Sequence, residues 1–189
     1  MSCWELPSAL NVGGKEYPIR CQFGAVLDIL AAYNDPDMDD SEKTEAMLTI
    51  LYIDFPSIPA EHLAEAIQKG CEFIDCGQKD DGKRHPKLID WNQDAGLIIP
   101  AVNNVAGCEV RAVPNMHWWT FYGYFMSIGD SLLSSVLHIR KKKAKHQKLE
   151  KWESEFYREN KSLIDIKTPE SEAVRCEKEA IMKCFSKKR

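Results

Sequence analysis

The stretch "PNMHWWTFYGYF", residues 114–125, carries seven aromatic side chains in twelve positions when His117 is counted. Its spacing decides the fold. Met116, Trp118, Trp119, Phe121, Tyr122, Phe125 and Met126 cover most of a helix circumference, while His117, Thr120, Tyr124 and Ser127 leave one polar stripe. A helix of this kind is expected at the centre of a helical body, touched on nearly all sides. A stacking platform for bases would need aromatics exposed beside positive charge. The stripe here is neutral, so core is the expected role of the aromatics, and an exposed groove for a partner is the remaining case.

Upstream, "DWNQDAGLIIPAVNNVAG" (residues 90–107) repeats the helical period through Trp91, Ala95, Ile98, Val102 and Val105. Asp90 has the character of an N-cap, and Gln93 stands at capping-box distance from it. Gly107 is placed to end this helix, and Pro100 is expected to kink or split it. Downstream, Gly129-Asp130 restarts a helix whose inner face is Leu132, Leu133, Val136 and Leu137.

The first half reads in the same way. "ALNVGGKEYPI" (residues 9–19) predicts a small hairpin turning at Gly13-Gly14, where positive φ is needed. Helical stripes follow at Phe23, Val26, Leu27 and Leu30, then at Met47, Leu48, Ile50 and Leu51 behind an Asp39/Glu42 capping box. A third stripe runs Leu63, Ala66, Ile67, Gly70 and Ile74, with Pro59 suited to a first helical position. Residues 77–87, "GQKDDGKRHPK", lack any apolar side chain and predict a mobile loop between two halves.

From residue 146 the character changes. Glu and Lys dominate, and Leu149, Trp152, Phe156 and Leu163 form a thin apolar stripe. Thr168 and Pro169 suit a further helix start, followed by Val174, Ile181 and Phe185. The expected architecture is therefore mainly α. It is a compact multi-helix domain over 1–145 with a short N-terminal β-hairpin, followed by a charged, amphipathic helical tail over 146–189. The tail stripe either packs back on the body or faces a partner.

Composition bounds the function. Apolar residues make up 44% and the net charge is -4, so the chain can build a core and carries no global signature of nucleic-acid binding. No secretory signal and no membrane-spanning run is visible. The seven cysteines therefore read as reduced thiols in a cytosolic compartment, with Cys21 and Cys108 expected to be partly buried.

No motif carries catalysis, and no catalytic residue, cofactor or metal is expected. Asp90 and Asp94 lie one turn apart and could pair for acid–base work, but their spacing is also that of a cap and a first-turn acid. His62, Cys71, Cys76 and His85 could supply zinc ligands, but the tight knuckle spacing is missing. The basic run Arg140–Lys143 with Lys145 and Lys148 (and His138 and His146 beside it) suits a solvated helix end, and Glu150, Glu153 and Glu155 cancel much of its field.

A set of residues nonetheless resembles a known family. Asp90-Trp91 stands ahead of Asp94-Ala95, Gly107 precedes Val110, His117-Trp118-Trp119 is followed by Phe121, and Ile139-Arg140 comes later. Together they resemble the bacteriophage gene-product-fifteen family of phages and prophages of Gram-positive bacteria. The likeness covers most of residues 10–160 and departs from the pattern at Thr120, Pro100 and Asn103-Asn104.

The resemblance implies a non-enzymatic tail assembly chaperone in the host bacterial cytoplasm, absent from the mature virion. Its implied partner is the tape measure protein, with the tail-tube protein and a second copy of the chain as further candidates, and neither nucleic acid nor membrane. The alternative it leaves is a structural tail or head–tail connector component. The signature residues Asp90, Trp91, Asp94, His117, Trp118, Trp119 and Phe121 are expected in the core. Leu149, Trp152, Phe156 and Leu163 are the candidate partner-binding surface.

Overall fold

The computed structural model describes residues 4–78, 82, 86–167 and 171. Within them the chain is mainly helical and begins with one antiparallel hairpin, β1 (Ala9–Val12) and β2 (Lys15–Pro18). The turn residues Gly13 and Gly14 have φ of 59° and 78°. Two successive positive values define the mirror-image turn that matches strand twist, which is why two glycines stand there. Leu10, Val12 and Tyr17 face inward and are buried. Strand β1 lies on α3 (Leu63–Ile74), whose Glu65 accepts a hydrogen bond from the Gly13 N–H at 2.9 Å.

Helix α1 (Phe23–Tyr33) packs against α2 (Asp40–Leu51), and α2 against α3. The start of α2 is fixed as its sequence predicts. Asp39 accepts from the N–H groups of Ser41 and Glu42, and Glu42 reaches back to the Asp39 N–H. At the other end Arg20 donates to the carbonyls of Thr49, Ile50 and Tyr52, satisfying acceptors that a helix end leaves open. Helix α3 starts later than Pro59 suggested. A 3-10 turn, Ala60–His62, comes between, with Pro59 capping it in an extended conformation.

The second half adds α4 (Ala95–Ala106), α5 (Trp118–Met126) and α6 (Leu132–Ala144). Gly107 ends α4 with a φ of 70°, as expected. Pro100 does not split α4, which continues through it. Ser131, rather than Gly129-Asp130, caps α6 in a reciprocal box with Ser134, and this turns Leu132 outward, half exposed. The tail forms α7 (Lys151–Glu159) and α8 (Lys161–Ile164). The helix start read at Thr168-Pro169, and Val174, Ile181 and Phe185 after it, lie outside the described residues. So does most of the 77–87 loop.

One large core joins the hairpin, α1–α5 and Leu133 of α6. A second, smaller cluster has Val136, Ile139 and Ile164 at its centre, with Leu97 touching both. Helix α6 thus serves two cores from adjacent faces. Among the described residues no buried side-chain nitrogen or oxygen lacks a hydrogen-bond partner.

Candidate functional site

The two tryptophans answer a backbone demand. The last carbonyls of a helix have no partner within it. At the end of α3, the Trp118 indole N–H donates to the Ile74 carbonyl at 2.8 Å and the Trp119 indole to the Phe73 carbonyl at 2.9 Å. Adjacent side chains of α5 therefore cap adjacent carbonyls of α3. Cys76, at φ 54°, turns the chain away directly after them.

His117 prepares this geometry. Its Nδ1 accepts from the Trp119 N–H, capping α5, while Nε2 lies 3.0 Å from the Pro7 carbonyl. An acceptor at Nδ1 and a carbonyl opposite Nε2 assign the proton to Nε2. The Trp118 N–H also bonds the Cys21 carbonyl, and the Phe23 N–H the Met116 carbonyl, so the entry to α5 pairs with the entry to α1.

The aromatic cluster behind the tryptophans is dense. Phe23 stacks on Phe121 with centroids 4.5 Å apart, and Trp91 lies edge-on to Trp118 at 5.8 Å and against Phe125 at 5.0 Å. Trp118 and Phe121 are fully buried; Trp91 and Trp119 are half-buried. The expectation of a helix covered on nearly all sides needs correction. Helix α5 is short, its C-terminal end reaches the surface, and Met126 is exposed.

Asp90 and Asp94 both have structural partners. Asp90 accepts from the N–H groups of Asn92 and Gln93 and pairs with Lys87 at 2.9 Å. Burial alone would raise its carboxyl, but these hydrogen bonds win and hold it below the ordinary range. Gln93 does not close the capping box; Asp94 does, accepting from the Asp90 N–H at 3.0 Å.

Asp94 is 1% exposed and meets Arg140, 5% exposed, in a two-pronged ion pair of 2.6 and 2.8 Å. Arg140 spends its remaining donors on the carbonyls of Leu88, Leu163 and Ile164. Every N–H of the guanidinium is thereby used. The reading of Arg140 as part of a solvated basic helix end is corrected here. It is the buried knot that ties α4, α6 and the tail together. A signal was present: Arg140 falls seven residues after Leu133 and four after Val136, on the apolar stripe of α6.

Two neighbouring cations, Lys142 and Lys143, are paired as well. Lys142 lies 2.5 Å from Glu153, which also accepts from His138 at 2.8 Å, and Lys143 pairs with Asp165. The Lys143 ammonium also sits over the Tyr157 ring, 3.8 Å from its centre.

Of the candidate partner-binding residues, Leu149, Phe156 and Leu163 lie partly buried against the second cluster, while Trp152 is 51% exposed. The sequence places Gln93 at a helix cap and does not reveal its contact with the tail. Its amide donates to the Asp165 carbonyl and accepts from the Lys167 N–H, each at 2.9 Å. Another apolar feature is a cleft of about 320 Å³ between α4 and the turn into α6, lined by Gly96, Pro100, Val105, Ile128 and Leu132.

Among the described residues the cysteines are Cys21, Cys71, Cys76 and Cys108, and all four are free. Cys108 is exposed rather than partly buried, because it follows the end of α4 at the surface. Burial, reinforced by the nearby Asp75 charge, raises the Cys71 thiol and pushes Cys76 up to about 12, so both stay protonated. Among the described residues no three His, Cys, Asp or Glu side chains gather as a metal site; His85 lies outside them. No helix among the described residues is long and apolar enough to cross a membrane.

A family model described as "Bacteriophage Gp15 protein" matches residues 4–166. The chain belongs to that family. The match takes in the hairpin, both tryptophan caps, the Asp94–Arg140 pair and the tail up to α8. Comparison with curated proteins and with solved structures found no match. For this Gp15 family member, the residues that carried the resemblance coincide with the joints of the fold. His117, Trp118 and Trp119 join α5 to α3, and Asp94 with Arg140 joins α4 to α6 and the tail.

Proposed function

We propose that this chain is a non-enzymatic tail assembly chaperone that binds the tape measure protein in the host cytoplasm and is left out of the mature virion. The observation that carries the reading is membership of the bacteriophage Gp15 family over nearly the whole chain. The geometry adds support. The two acids whose spacing could have served chemistry are committed elsewhere, Asp90 to Lys87 and Asp94 to Arg140.

A tape measure is a long helical chain with apolar stripes, prone to aggregate until the tube encloses it. Many weak, repeated apolar contacts would hold it, and no catalytic pocket is needed. Trp152 is the candidate anchor for such contacts, being large, half exposed and set among charges that keep the surface wet. The cleft beside Leu132 offers a second apolar surface.

Mass spectrometry of purified phage particles tests this reading. A chaperone is absent from them. A fixed copy number per particle would instead make the chain a structural tail or head–tail connector component.

A further inference from the structure

The groove between the start of α4 and the face of α6 reads the main chain of residues 163–167. Arg140 donates to the carbonyls of Leu163 at 2.9 Å and Ile164 at 2.6 Å. Gln93 holds the Asp165 carbonyl and the Lys167 N–H with its two amide ends. Lys143 takes the Asp165 carboxylate, and Ile164 is buried against Val136 and Ile139. Asp94 and the Leu88 carbonyl hold Arg140 in place independently of this segment. The groove is therefore built on the body, and α7–α8 is a strap laid into it.

The hinge of the strap is unusual. Helix α6 ends in a left-handed stop: His146 has φ 53°, its N–H bonds the Lys143 carbonyl, and the Gln147 N–H bonds the Lys142 carbonyl. Glycine is the ordinary residue at that position, because a Cβ is strained there. The hinge, "KHQKLE" (residues 145–150), contains no helix breaker. Indeed no glycine or proline occurs from 130 to 168. The segment from Leu132 to Glu159 can be drawn as one uninterrupted helix, which would relieve the strain at His146. The apolar anchorage of the strap is small beside the main core, so it is the unit that opens first.

We propose that the strap exchanges between two copies of this chain. The hinge straightens, α6 and α7 merge, and each copy lays its residues 163–167 into the groove of the other. The occupant is a second copy because its strap repeats every contact seen within one chain; only the hinge changes. The closed monomer competes through an effective concentration of roughly a millimolar, so exchange is strongest when protein is concentrated or the closed form is penalised. This inference rests on the chain alone and is independent of the tape measure reading.

Two full-length variants test it, Asp165→Lys and Lys143→Glu. Each places like charges opposite one another within a single chain, while either strap is matched to the other variant's groove. Mixed one to one, they should form a dimer of one copy each, seen by light scattering after size exclusion and by native mass spectrometry. A mixture that stays as the separate components overturns the proposal. Should either variant fail to give a cooperative melt, the hinge decides. His146→Ala, which favours the straight form, should dimerise about tenfold more tightly than His146→Gly, which relaxes the bent one. Equal dimerisation by the two hinge variants overturns it.

Discussion

Asp94 and Arg140 stand 46 residues apart in the chain and meet in a buried, two-pronged ion pair. Neither is an isolated charge: Asp94 also closes the first turn before α4, and Arg140 also fixes Leu88 and the two carbonyls of α8. One side-chain contact thus ties together four segments that the main core does not fully bind.

Removal of either partner leaves an uncompensated buried charge. Asp94→Asn is expected to destabilise by about 3–5 kcal/mol, read from the midpoint and slope of urea unfolding. Arg140→Lys should also destabilise, because a single ammonium cannot replace a planar fork with five donors.

The tryptophan caps predict a graded series. Trp118→Ala should cost about 3–5 kcal/mol from lost packing. Trp118→Phe keeps most of the ring but strips the Ile74 carbonyl of its donor, at about 1–3 kcal/mol. Trp119→Ala should cost less than Trp118→Ala, since Trp119 is only half-buried. Thermal melts of the three variants check the order.

Much of the frame was legible in the sequence, and the reason is local. The Gly13-Gly14 turn, the Asp39/Glu42 box and the Gly107 stop each depend on residues within a few positions of one another. The joints were not legible, because they depend on tertiary geometry. Nothing in the spacing of Trp118 and Trp119 says that their N–H groups reach α3. Arg140 was hidden by its neighbours: Lys141, Lys142 and Lys143 made it look like part of a charged helix end. Gln93 stands at capping-box distance from Asp90, but Asp94, one residue further on, closes the box. The tail stripe was ambiguous by nature, since an apolar residue on a thin stripe fits either its own body or a partner.

The hairpin turn offers a paired control. At Gly13 an added Cβ would lie 2.6 Å from the His62 ring and take a φ of 59°; at Gly14 φ is 78° but the space is open. Gly13→Ala should cost about 1–3 kcal/mol, and Gly14→Ala less, from the backbone strain alone. Denaturant unfolding of the two variants measures the difference.

Acid should loosen the strap before the main core. Hydrogen bonding from Lys142 holds Glu153 down at about 2, against an ordinary 4.5. Asp165 is also held below its ordinary value: burial alone would raise it, and Lys143 and Tyr157 outweigh that. Groups depressed on folding add stability that is complete above their unfolded values and is lost as pH falls through the folded ones. Stability should therefore decline from about pH 4.5 towards 2. Hydrogen exchange is expected to show α7–α8 losing protection first, and the Glu153→Gln chain should show a shallower decline.

Co-expression with the tape measure protein tests the central claim most directly. The tape measure made alone should aggregate, and made with this chain should stay in the supernatant and co-purify with it. Trp152→Glu should weaken that rescue while shifting the stability of the isolated chain by no more than about 0.5 kcal/mol, as expected of a surface substitution. A tape measure whose solubility is the same with and without this chain would contradict the account.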